Sequence, residues 1–345
     1  MAFQLPIRAN DDELSSAVPL RKIRLRDVVH TERTKVLVTR EQYYACSQHD
    51  TKAFDWDGFM LRYGESTDIP AGGYISLKRR KPSARMDLPQ VIVDRFTSLV
   101  FGDERFPTIQ VKGDPEAEDY AQELAKQANL ETKMIEARNK GGAQGSVVLS
   151  WGFIDGKPCV EVHNAAHCEV LEWQDYDRRK PAVVLKAYTY QRKVWDKDGK
   201  PRMKTYYYAR YWDSEVDVCW RDIPEEIGAT DAWWKHPSRL VYHEAGFTPL
   251  YWIQNTPDSD DVDGHGDYKD GSHTNFDQID MLLSATTKGA IANVDPTLVI
   301  KDDQDNNDGL VRKGSGYAIY SKGGAEYLEL DGSSIQAARE LLKDL

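Results

Sequence analysis

Aspartates at 258, 260, 261, 263, 267, 270, 277 and 280 fall in a run that holds one basic residue, Lys269, and two histidines, His265 and His273. Carboxylate and imidazole at this density are ligand types for a divalent metal. Asp260, Asp263, His265 and Asp267 are the candidates for a metal-dependent hydrolase acting on nucleic acid. The run does not have the form of a calcium loop, because Gly264 in the sixth place would put Ser259 first and Asp270 twelfth. Acids punctuated by glycine also make an ordinary solvated loop, and from Asp258 onward the sequence reads that way. A second set, Cys159, His163, His167 and Cys168, has zinc-ligand chemistry. On a strand, however, four residues span about 13 Å, and zinc bonds are about 2 Å long. The glycines Gly141, Gly142 and Gly145 come in the order helix, glycines, strand, the reverse of a phosphate loop, and GxxxxGK[ST], GxSxG and HExxH are absent. No cofactor is expected.

The elements that would position these residues can be read from periodicity. Apolar or small residues Ile279, Leu282, Leu283, Thr286, Ala290 and Val294 recur at helical spacing from Asn275 until Asp295-Pro296 stops the helix. Its stripe is small, with Ser284, Ala285, Gly289, Ala290 and Ala292, as suits a strut packed closely against a neighbour. Upstream, residues 1–35 read as a polar arm, Thr39–His49 as a short helix capped by Thr39, Tyr74–Leu77 and Pro107–Val111 as strands, and Asp87–Phe101 as a helix. Asp114-Pro115 opens a helix that Asn129 divides and Gly141-Gly142 ends. Gly145–His163 is a hairpin turning at Asp155-Gly156. Val183–Gln191, Thr205–Trp212, Val216–Trp220 and Leu240–Glu244 extend an antiparallel β-rich region, with Asp198-Gly199 as another turn. After the strut, strands near Thr297–Ile300, Tyr317–Ser321 and Tyr327–Leu330 make a small unit, and Ser333–Leu345 begins a second strut.

The chain has 345 residues, 40% of them hydrophobic, which is enough for a real core; its net charge of -11 argues against a general nucleic-acid coat. Charge is uneven, with seven basic residues between Arg21 and Arg40 and a second run from Lys78 to Lys81, so self-complementary subunit contacts are expected. Four cysteines and an N-terminus without an apolar core point to a reducing compartment. No apolar run approaches the roughly 18 residues of a membrane helix.

An apolar strand into Asn255-Thr256-Pro257-Asp258, an Asp/Gly loop, a helix with Asp277-Gln278-Ile279-Asp280 and Ser284, then Ala292-Asn293-Val294-Asp295-Pro296-Thr297-Leu298-Val299-Ile300, resembles the portal proteins of tailed bacteriophages. The upstream helix, Gly145-Ser146-Val147-Val148-Leu149 and the following hairpin are similar to that family's wing. The resemblance covers roughly residues 87–345. It implies an α+β portal fold: an N-terminal arm and start of the wing (1–86), a β-rich wing (87–274), a first stem helix (275–294), a small αβ clip (295–332) and the start of a second stem helix (333–345). The family's tunnel loop and crown have no counterpart in these residues. The implied function is a non-enzymatic, virion-located ring of usually about twelve subunits at one capsid vertex. Its implied partners are the large terminase, head-tail adaptors, major capsid and scaffold proteins, and the double-stranded DNA that passes through. Ile279, Leu282, Leu283, Thr286 and Ala290 would pack stem against stem, and Arg312, Lys313 and Lys322 would face terminase, adaptor or DNA from the clip.

Overall fold

Leu25, fully buried, anchors a short helix α1 (Leu25–Val29), and the Thr31 side chain then caps α2 (Glu32–Tyr44) by accepting from the Thr34 amide at 3.1 Å. Of the expected arm, residues 1–22 lie outside the described residues and 23–35 contribute α1 and the start of α2, so that the helix is capped at Thr31 rather than Thr39. Charge density hid one buried stripe of Thr34, Leu37 and Tyr43. The computed structural model describes residues 23–52, 54–56, 79–102, 106–154, 156–175, 177–195, 199–230, 233–235, 237–243, 245–294, 297–301, 318–321, 326–328, 336 and 340. The strand expected at Tyr74–Leu77 lies outside them. So does the helix expected at Ser333–Leu345, apart from Gln336 and Glu340, which are helical.

Helix α3 (Leu88–Phe101) follows, then α4 (Pro115–Gln127), capped by Asp114, and α5 (Leu130–Gln144). Asn129 separates the last two in a left-handed conformation (φ 51°), as its position between the apolar stripes predicts. Residues 107–111 are not a strand. The Val111 amide donates to Glu118 of α4 at 3.1 Å, so this backbone is held by a helix side chain instead of a ladder.

Strands β1 (Ser146–Ile154) and β2 (Lys157–Asn164) form the expected hairpin, with Gly156 at φ +76° in its turn. Next come β3 (Cys168–Gln174), β4 (Asp177–Trp195), β5 (Pro201–Trp212), β6 (Val216–Pro224), the short helix α6 (Glu225–Gly228), β7 (Arg239–Tyr242) and β8 (Leu250–Gln254). They make an antiparallel five-stranded sheet, β3-β4-β5-β6-β7, and a three-stranded one, β2-β1-β8. Alternation along β4, β5 and β6 sends Leu185, Ala187, Tyr207, Ala209, Tyr211, Val218 and Trp220 to a core closed by Leu25 and Trp233. On the opposite face Val184 and Trp212 meet Val148, Leu250 and Trp252 of the smaller sheet and Leu37 of α2.

The strut is α7 (His273–Val294), and it leads into β9 (Thr297–Lys301), β10 (Ala318–Ser321) and β11 (Glu326–Leu328) in the order β10-β9-β11, with the first pair parallel and the second antiparallel. Contacts divide the chain into two units, Met1–Cys46 with Pro89–Asp270 and Ser47–Leu88 with Gly271–Leu345. Residues 47–88 thus belong with the strut, and α2 belongs with the β-rich unit. Among the described residues no helix is long and apolar enough to cross a membrane.

Candidate functional site

Two turns separate Arg33 from Arg40 on α2, so both side chains leave the same face of the helix. That face meets the acidic run. Arg33 holds Asp263 by two bonds, Nε to Oδ2 at 2.5 Å and Nη2 to Oδ1 at 3.0 Å, and also donates to the carbonyls of Cys168 (2.9 Å) and Ala165 (3.1 Å). Its guanidinium lies 5.3 Å from the Trp252 ring, and Asp263 is only 8% exposed. Arg40 grips Asp270 at 2.7 and 2.8 Å and donates to the Gln144 carbonyl at 2.7 Å; the Asp270 hydrogen bond raises its pKa. Arg138 of α5 grips Asp267 with two bonds of 3.0 Å, and Asn255 donates to the same carboxylate at 3.0 Å. Bidentate guanidinium–carboxylate pairs are the strongest ionic contacts a protein makes, and three of them staple 263–270 to the unit.

Backbone contacts complete the staple. Thr256 and His265 exchange amide–carbonyl bonds, and the Asp267 amide donates to the Gly142 carbonyl at 2.7 Å. Gly145 (φ +97°) passes so near this loop that a Cβ would lie 2.1 Å from the Gly264 carbonyl oxygen, which explains glycine at both positions. The expectation of a wholly solvated loop is thus corrected. Asp260 and Asp261 are exposed and no arginine side chain among the described residues bonds them, and half-buried Asp258 lies 3.2 Å from exposed His265. The four proposed metal ligands are dispersed: Asp263 and Asp267 engage different arginines and Asp260 is exposed. Among the described residues no group of three or more His, Cys, Asp or Glu side chains is placed to hold a metal ion.

The cysteine–histidine set is not gathered either. His163 is buried between Ser150, 2.7 Å from Nε2, and Lys186, 3.0 Å from Nδ1. The Lys186 ammonium can only donate, so Nδ1 accepts and Nε2–H donates to Ser150; the imidazole cannot take the serine proton, and this is not a nucleophile–base pair. Burial, reinforced by Lys186, Arg210 and Lys140, depresses the His163 pKa to about 2. His167 stacks on Tyr188 and is depressed to about 4, chiefly by burial, while burial raises the Cys168 thiol to about 11. Nothing local in the sequence signals Ser150 or Lys186, since both read as strand residues.

In the other unit, α7 is fixed by its own chain. His49 Nε2 lies 3.1 Å from Asp280 and 3.5 Å from Asp277, and the Met86 amide donates to Asp280 at 3.0 Å. Ser284 accepts from the Ala84 amide and donates to its carbonyl, each at 3.0 Å. Burial holds the Lys52 pKa down against the pull of Asp277 and Asp280. Ser284, on the small-residue stripe expected to pack against a neighbour, is engaged within the unit, and Ile279 is buried there; Leu282, Leu283, Thr286 and Ala290 stay half-buried. Arg312, Lys313 and Lys322 lie outside the described residues. Compared with protein-family models and with curated proteins, the chain matches none.

Proposed function

We propose that the chain is a subunit of a phage-type portal: a ring at one capsid vertex through which DNA is packaged and ejected, with a terminase and then tail adaptors docking on it. The observation that supports this is the order of elements: a β-rich unit, a 22-residue helix α7, and immediately a small sheet β10-β9-β11. The subunit is structural, with ATP hydrolysis left to the motor. Of the positions expected to pack stem against stem, Leu282, Leu283, Thr286 and Ala290 are half-buried and available to neighbouring struts. An overall charge of -11 suits a channel that must let DNA slide, since phosphate contacts would brake it. The metal-hydrolase alternative has no comparable support, because arginines already engage Asp263 and Asp267. Sedimentation velocity of the purified chain tests the proposal. One large species without nuclease activity is the expected result; a monomer that cuts DNA when magnesium or manganese is added would overturn it.

A further inference from the structure

One face of the three-stranded sheet is apolar and only partly covered. Val148, Ser150, Leu250 and Trp252 turn inward, so register and alternation put Val147, Trp151, Phe153, Tyr251 and Ile253 on the opposite face. Helix α5 covers that face at the Val147 end, where Met134, Ala137 and Gly141, with Phe101, close over Val147 and Ile253. Beyond it Trp151, Phe153 and Tyr251 stand open, Phe153 at 60% exposure, with the Phe247 ring 5.9 Å from Trp151. Strands apolar at both parities, as β1 and β8 are, have the pattern of a sheet covered on both sides, and a contiguous exposed aromatic surface marks an interaction site. The neighbouring wall is acidic. Helix α4 packs against β2, buries none of its residues and exposes Glu116, Asp119 and Glu123.

The complementary surface lies on the same chain. Over Gln191–Trp195 and Pro201–Thr205, β4 and β5 pair only with each other, because β3 and β6 have already ended their ladders. A two-stranded ribbon of this kind is marginal alone. Its register puts Trp195, Met203 and Lys193 on one side, with Trp195 66% and Met203 60% exposed, and exposed Lys204 on the other. From Lys186 to Arg210 there are eight basic residues against Asp196 and Asp198, in a chain that is otherwise strongly acidic.

We propose that the β4–β5 ribbon of one copy docks on the open sheet face of the next. Trp195 and Met203 cover Trp151, Phe153 and Tyr251, while Lys193, on the same side of the ribbon, approaches the acids of α4. The inference rests on the ring reading above and supplies its contact. The two patches differ, so the contact is head-to-tail: each added copy leaves one ribbon and one sheet face free until the ring closes.

Mass photometry of the full chain across a concentration series tests this with two variants at exposed positions, W195E/M203E on the ribbon and F153E/Y251E on the sheet, each checked for a native circular-dichroism melt. Either variant alone is expected to raise the assembly midpoint concentration about tenfold or more. An equimolar mixture is expected to stop at dimers, since one variant retains the sheet face and the other the ribbon. Wild-type-sized rings from either variant, or a mixture that stays monomeric while the wild type forms rings, would overturn the ribbon contact and leave the ring reading standing. A monomeric wild type would overturn both.

Discussion

The acidic run has two halves of similar composition and opposite fate. Asp258, Asp260 and Asp261 meet no arginine among the described residues, whereas Asp263, Asp267 and Asp270 are each gripped by an arginine from a helix, even though Asp270 is itself exposed. The difference lies entirely in what faces them. A carboxylate becomes structural when a guanidinium from a packed helix reaches it with two bonds, and remains a solvated charge otherwise. The histidines divide in the same way, with His265 exposed beside Asp258 and His163 buried between Ser150 and Lys186.

The sharpest way to break this contrast is to remove one clamp. Arg33→Ala leaves Asp263 buried and unpaired and frees the Ala165 and Cys168 carbonyls, so urea unfolding should show a loss of about 3–5 kcal/mol. A loss under about 1 kcal/mol, the range of a surface pair, would mean the two halves do not differ. Next in size is Gly145→Val, where a Cβ would run into the Gly264 carbonyl in a left-handed backbone position. The same assay should read about 2 kcal/mol or more.

The histidine contrast predicts a pH effect. Burial holds the folded pKa of His163 at about 2, below its ordinary value, so the unfolded chain binds the extra proton. Its neutral form therefore contributes full stability above about pH 6.5, and stability falls by about 1.4 kcal/mol per unit as pH drops below that. His163→Asn should flatten this acid limb of the melting profile, and an unchanged limb would contradict the assignment. The smallest effect belongs to the exposed acids. Asp260→Asn and Asp261→Asn should each stay within about 0.5 kcal/mol of wild type, and a larger shift would show that the surface half is also built in.

Much of the fold was readable because its causes are local. Asn129 breaks α4 from α5, Gly156 turns the β1–β2 hairpin, and the spacing of Ile279, Leu282 and Leu283 gives α7. The clamps were not readable. Arg33 and Asp263, like Arg40 and Asp270, lie 230 residues apart, and nothing in either segment names the other. Residues 107–111 failed for a related reason: their β propensity is real, but a strand needs a partner ladder, and Glu118 takes the Val111 amide instead. The Ser150–His163–Lys186 cluster likewise depends on bringing β1, β2 and β4 together.

Assembly is the property on which the functional account stands, and negative-stain microscopy of the purified wild-type chain measures it most directly. The account predicts end-on views of closed rings with a central channel and a uniform subunit number. A field of single particles of about 39.3 kDa at every concentration tried would contradict it.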